Sequence, residues 1–188
     1  MIGLFFGSFN PIHKGHTTIA KEALRQTALS EIWFVVSPRN PLKETRELAP
    51  VNHRIKMVEM ALKDNERMKL CDVELSLPTP SYTANTLEYL DTLYPALDFA
   101  ILMGADTYEA IPRWHRAEVL LKYKKIVYPR GVATNSEGKG LSDAIWLETQ
   151  LMGVSATQIR GKLFTGDNTD DELESGIREY IRAHDLYL

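Results

Sequence analysis

The chain has 188 residues, which fits one domain of roughly 100–200 residues. Its 22 Lys and Arg against 25 Asp and Glu give a formal net charge of −3, and 44% of residues are hydrophobic. This excludes a nucleic-acid binder held by whole-chain charge and excludes a disordered chain.

The single cysteine, Cys71, allows no internal disulfide and points to a reducing, cytoplasmic compartment. No apolar run approaches the roughly 20 residues that span a bilayer, so no membrane is expected as a partner. The start, Met1–Phe6, lacks the basic region and small-residue cleavage site of a signal peptide.

In chain order, Ile2–Phe6 is apolar apart from Gly3 and reads as a buried strand. A helix follows from Gly15 to about Ala28, with Ile19, Ala20, Ala23 and Leu24 on one stripe. Ile32–Val36 is the next strand, and Pro38–Pro50 reads as a loop. A second helix places Ile55, Val58, Ala61 and Leu62 on one face, with Asn52 as its N-cap. The alternation over Cys71–Leu77 predicts a strand ending before Pro78, and Thr83–Leu93 predicts a helix. Phe99–Met103 is a further strand, fully apolar like Ile32–Val36. Arg116–Lys122 is a short helix, and Lys125–Tyr128 and Ala144–Leu147 are strands on either side of a Gly131–Ser142 loop. Asp170–Ala183 reads as a terminal helix, with acids at its start and Arg178 and Arg182 near its end, as the helix dipole favours.

Strands alternating with helices predict an α/β fold: a doubly wound, Rossmann-like parallel sheet. The expected organisation is one domain over 1–188, with a C-terminal helical part from about 155. Ligands of such sheets bind beyond the carboxyl ends of the strands. The loops after Phe6, Val36 and Met103 are therefore the ones to inspect.

The first of these, Gly7-Ser8-Phe9-Asn10-Pro11-Ile12-His13-Lys14-Gly15-His16, runs straight into a helix. It matches neither G-x-G-x-x-G nor the P-loop, which disfavours an NAD-dependent oxidoreductase. It shares their physics, because two glycines permit close backbone approach and a helix N-terminus attracts phosphate. His13 and His16 could donate to phosphate oxygens. The alternatives are a capping histidine or a metal pair. Asp, Glu and Cys are absent from Gly3 to Lys21, so no metal site is expected, since three ligands are normally needed.

The segment resembles the H-x-G-H signature of the nucleotidylyltransferase superfamily, matched by His13, Gly15 and His16. The superfamily's second signature, S-x-T-x-x-R, is matched by Ser155, Thr157 and Arg160. Intervening segments resemble the bacterial nicotinate mononucleotide adenylyltransferases: Pro80–Leu87 (P-S-Y-T-x-x-T-L), Gly104–Asp106 followed by Trp114 (G-x-D…W), and His53-Arg54 with Met57 (H-R-x-x-M). The resemblance runs from Ile2 to about Tyr180. Phe6, Asn10 and Ala156 depart from residues common in the family, and no signature residue is lost.

The resemblance implies transfer of an adenylyl group from ATP, with Mg²⁺ entering on the ATP. The acceptor would be the 5′-phosphate of nicotinate mononucleotide, and pyrophosphate would leave. It implies His13, His16 and Arg160 as catalytic residues. ATP contacts would come from Gly7, Ser8, Phe9, His13, Gly15, His16, Gly104, Asp106, Ser155, Thr157 and Arg160. The mononucleotide would meet Ser8, Lys43, Tyr82, Thr83, Asp106 and Trp114. On composition alone the core or helix-packing reading of Trp114 is the stronger one, Lys43 can be a solvated loop lysine, and Asp106 can cap the next helix as well as bind ribose. Arg54 and Arg113 read as surface groups, and Cys71 as a buried, inert thiol. Competing readings are a nucleotidylyltransferase acting on nicotinamide mononucleotide or pantetheine phosphate, and a non-catalytic nucleotide sensor. A homo-oligomer is compatible with every feature above.

Overall fold

The computed structural model describes residues 1–39, 48–129, 144–149 and 153–187. Six strands form one sheet in which every pair is parallel: β1 (Ile2–Gly7), β2 (Glu31–Val36), β3 (Met68–Cys71), β4 (Phe99–Gly104), β5 (Lys124–Tyr128) and β6 (Ala144–Trp146). Their order across the sheet is β3-β2-β1-β4-β5-β6. The order reverses between β1 and β4, which is the switch point of a doubly wound fold and the place where a crevice opens. The predicted fold class holds.

Seven helices are described: α1 (Lys14–Gln26), α2 (Val51–Leu62), α3 (Thr83–Leu93), α4 (Ala105–Ala110), α5 (Ala117–Leu120), α6 (Ala156–Thr165) and α7 (Ile177–Ala183). None is long and apolar enough to cross a membrane. The strands are apolar throughout because both sheet faces are covered. On one face Phe5, Phe34, Leu102 and Ile126 pack with Ala20 and Ala23 of α1, Met57 and Val58 of α2, Ile159 of α6 and Ile181 of α7. On the other, Leu4, Val35, Ile101 and Val127 pack with Leu87 and Leu90 of α3, Tyr108 of α4 and Val119 of α5. Successive strand residues point to opposite faces, so neighbours such as Leu4 and Phe5 enter different cores.

Several expected elements shift. The strand expected over Cys71–Leu77 ends at Cys71, and Val73–Ser76 is a single 3₁₀ turn. In it Glu74 is the buried residue while Leu75 is 44% exposed. The alternation of Val73, Leu75 and Leu77 therefore did not mark a strand's buried face. The cap of α2 is Pro50 rather than Asn52, which lies exposed inside the helix. Arg116, expected as helical, is the left-handed cap of the shorter α5, with φ 53°. The terminal helix starts at Ile177, because Gly176 at φ 80° breaks the backbone before it. The acid of its first turn is Glu179. Asp170 instead lies in the preceding loop and pairs with Arg178 at 3.0 Å, an exposed contact of little energetic weight. The 131–142 loop and most of the 38–50 loop lie outside the described residues.

Candidate active site

The carboxyl end of β1 leads into the loop 8–13, which closes on α1 with His13 as its N-cap. Phe9 adopts φ 44°, a left-handed conformation that L side chains rarely take. Burial of its ring against Phe5, Phe34 and His16 offsets that strain. The ring also explains Gly7, where a Cβ would stand 2.8 Å from Phe9 Cζ.

The two histidine rings lie against each other, tilted by 34°, with centroids 3.8 Å apart. The His13 backbone N–H donates to His16 Nδ1 at 3.3 Å, and the His16 N–H donates to the His13 carbonyl at 2.9 Å. His16 thus does the capping work that Glu or Gln usually does three residues into a helix. Because Nδ1 accepts, the proton of the neutral ring sits on Nε2, which becomes the donor. The spacing of the signature now has a steric reason, since a Cβ on Gly15 would stand 2.9 Å from His13 Nδ1 and Cε1. Gly15→Ala is expected to lower kcat at least about tenfold by displacing that ring. Stability should change little, because alanine favours the helix by about 1 kcal/mol over glycine. Steady-state kinetics beside thermal melts checks this, and unchanged kcat would contradict it.

The second signature reaches the same loop from the far end of the chain. Ser155 caps α6 by accepting from the Gln158 N–H at 3.2 Å. One turn on, Arg160 Nη1 donates to the Asn10 carbonyl at 3.1 Å. Thr157 and Arg160 line an open cleft of about 520 Å³ between α6, residues 48–50 and residues 185–187. Asn10 is a junction: its Oδ1 accepts from the Ala49 N–H and from the Tyr187 hydroxyl, both at 2.9 Å.

Arg54 corrects the sequence reading most sharply. It is not a surface group but 1% exposed. Nε donates to the Ala49 carbonyl at 2.9 Å, Nη1 to those of Ser8 and Ser37 at 2.7 Å, and Nη2 to that of Pro38 at 2.9 Å. One planar fork therefore ties together the loops after β1 and β2 and the approach to α2. Burial pulls its pKa below the usual value, yet a guanidinium stays charged well above neutrality.

On the other side of the switch point, Gly104 ends β4 and caps α4, and Asp106 lies exposed in that helix's first turn. The capping role considered for Asp106 thus falls to Gly104. Tyr82 caps α3 and Thr83 begins it. The Tyr82 ring packs on His115 with centroids 4.4 Å apart. Trp114, half-buried and next in chain, packs against the α3-side core. Arg113 is exposed, as expected. Lys43 lies outside the described residues. The N-termini of α1, α3 and α6 all belong to this end of the molecule, and each leaves amide donors available to anions.

Sequence reasoning missed three supporting residues: Arg54, Glu74 and Tyr187. The H-R-x-x-M match marked Arg54 without revealing its role, and nothing in the pattern marked the other two. Cys71 is a buried free thiol, and burial pushes its pKa up to about 11. It therefore offers no thiolate at neutral pH.

Residues 4–162 match the cytidylyltransferase-like family model. A protein of Flavobacterium johnsoniae is 38% identical over 99% of this chain and 98% of its own length. One from Cytophaga hutchinsonii is 41% identical over 85% of this chain and 83% of its own, and one from Bacillus pumilus is 35% identical over 99% and 97%. Each is named as a probable nicotinate-nucleotide adenylyltransferase. The chain belongs to the nicotinate-nucleotide adenylyltransferase family. Its fold is that of the nicotinic acid mononucleotide adenylyltransferase of Plasmodium falciparum. The complex of that enzyme with NaAD superposes with a TM-score of 0.84, at 21% identity and over 99% of this chain and 96% of that one. The complex with APC gives 0.81. In this chain the S-x-T-x-x-R helix meets the loop that carries H-x-G-H, through Arg160 and the Asn10 carbonyl.

Proposed function

We propose that the protein transfers the adenylyl group of ATP to the 5′-phosphate of nicotinate mononucleotide, forming nicotinate adenine dinucleotide. The observation that carries this reading is the contact of the second signature with the loop that leads into the first, in which Arg160 meets the Asn10 carbonyl at 3.1 Å. A phosphate oxygen of the mononucleotide attacks the α-phosphorus of ATP. The bond to the bridging oxygen breaks, and pyrophosphate leaves with the electron pair. The attacking phosphate is already ionised, so the reaction needs no protein nucleophile and no strong base. It needs alignment and charge neutralisation.

His16 Nε2–H and His13 are the donors to the phosphates at the head of α1, in the loop of Gly7, Ser8, Phe9 and Gly15. Ser155, Thr157 and Arg160 receive the β- and γ-phosphates, with the guanidinium neutralising the leaving group. Gly104 and Asp106 take nucleoside hydroxyls. Among the described residues no three His, Cys, Asp or Glu side chains gather as metal ligands. Mg²⁺ enters on the ATP, as part of the MgATP substrate.

The pyridine end falls to Tyr82, Thr83 and Trp114, with Ser8, Lys43 and Asp106 assigned to the remaining polar groups. The amides at the head of α3 suit a carboxylate, and Trp114 supplies the flat surface. Trp114→Ala is expected to raise KM for the mononucleotide about tenfold, the scale of a lost stacking partner, with KM for ATP nearly unchanged. Equal rises in both would assign Trp114 to the core alone. The reading as a whole is tested by giving purified protein MgATP and nicotinate mononucleotide and measuring pyrophosphate and dinucleotide. Tight ATP binding without turnover would establish a sensor instead.

A further inference from the structure

Glu74 is a buried acid for which the mechanism above has no use. It lies just beyond the carboxyl ends of β2 and β3, on the 3₁₀ turn 73–76, and is 1% exposed. Thr86 Oγ1, in the first turn of α3, donates to its Oε1 at 2.9 Å. The hydroxyls of Ser37 and Ser81 are its other polar neighbours. Oε2 and the Ser81 hydroxyl are both buried without a hydrogen bond of good geometry. These neighbours are consequential. Ser37 is one of the carbonyls held by Arg54. The Ser81 N–H donates to the Arg39 carbonyl at 3.0 Å. Thr86 sits one turn after Tyr82, whose carbonyl accepts from the Thr86 N–H at 3.3 Å.

We infer that Glu74 is a positioning residue for the pyridine subsite, fixing the Tyr82 and Thr83 amides through Thr86. The inference rests on the proposed nicotinate specificity. Glu74's named partners are hydroxyls, and burial is the main influence on its carboxyl, pushing its pKa above the usual range. What places Glu74 in the subsite is geometry: its Oε1 holds the Thr86 hydroxyl one turn after the Tyr82 cap of α3. Glutamine has nearly the same shape and can accept from Thr86 in the same way.

The test compares Glu74→Ala, Glu74→Gln and Thr86→Val with the unaltered protein, reading KM for nicotinate mononucleotide and KM for ATP separately. Glu74→Ala and Thr86→Val are each expected to raise the first about fivefold or more, the effect of one lost buried hydrogen bond, with the second within twofold. Glu74→Gln should stay within about twofold of the unaltered protein in both. Thr86→Val conserves volume, so its result stands even if Glu74→Ala does not fold. An active parent whose Thr86→Val variant shows no rise, or an equal rise in both KM values, overturns the inference. A Gln variant as impaired as the Ala variant does so too. A parent inactive with nicotinate mononucleotide overturns the functional reading, and this inference with it.

Discussion

His16→Ala is expected to lower kcat by about 100-fold or more, the scale set by loss of one donor to a developing charge. That factor corresponds to about 2.7 kcal/mol of transition-state stabilisation. The residue also has a second, purely structural role, because its Nδ1 accepts from the His13 N–H at 3.3 Å. Loss of such a cap costs about 1 kcal/mol of stability, which would move the melting temperature by about 2–4 °C in a domain of this size. His16→Gln separates the two roles. Glutamine is an ordinary capping-box residue at this position, so the melting temperature should return close to that of the parent. The rigid imidazole donor is not restored, and kcat should remain at least about tenfold down. Single-turnover kinetics on both variants, beside thermal melts, distinguishes the effects. A normal kcat for His16→Ala would remove His16 from the chemistry and leave it as a cap.

Arg54→Met is expected to lower the melting temperature by about 10 °C. The guanidinium satisfies the carbonyls of Ser8, Ser37, Pro38 and Ala49, and methionine leaves them without a donor. Each unsatisfied buried group costs about 1–3 kcal/mol. Removing a buried cation relieves part of this, so a net loss of about 3–5 kcal/mol is reasonable. That is a large share of the roughly 5–15 kcal/mol available to a folded domain. Lysine should not rescue the variant, because a compact ammonium lacks the fork that reaches four separated carbonyls. Because Ser8 belongs to the phosphate loop, the variant should also lose kcat at temperatures where it remains folded. Calorimetry and activity measured at about 15 °C below the variant's own midpoint check both statements. A shift under about 3 °C would show that the clamp is dispensable.

How much of this was legible beforehand differs between the sheet and the site's supports. The strands were readable because burial on both faces leaves uninterrupted apolar runs, as in Ile32–Val36 and Phe99–Met103. The histidine loop was readable because its glycines and histidines are rare in combination, and the structure adds why the spacing is what it is: Gly15 makes room for the His13 ring. What failed has a common cause. Arg54 and Glu74 are charged residue types placed where only tertiary structure can satisfy them. Composition assigns such residues to the surface. The Cys71–Leu77 alternation misled because a 3₁₀ turn can bury a residue such as Glu74 through its hydroxyl partners. Nothing near the C-terminus announced that Tyr187 would reach back to Asn10, since that contact joins residues from opposite ends of the chain.

The central claim is that one site, built from the two signatures and the Tyr82–Trp114 region, adenylylates the acid form of the mononucleotide. The most direct measurement is kcat/KM for nicotinate mononucleotide relative to nicotinamide mononucleotide, at fixed saturating MgATP. The two acceptors differ only at the pyridine carboxylate, so the ratio reads the α3 amides in isolation from the phosphate chemistry. A site built to pair with a charged group rejects the analogue lacking it by several kcal/mol, so the account predicts a ratio of about 100 or more in favour of the acid. A ratio near unity would contradict it.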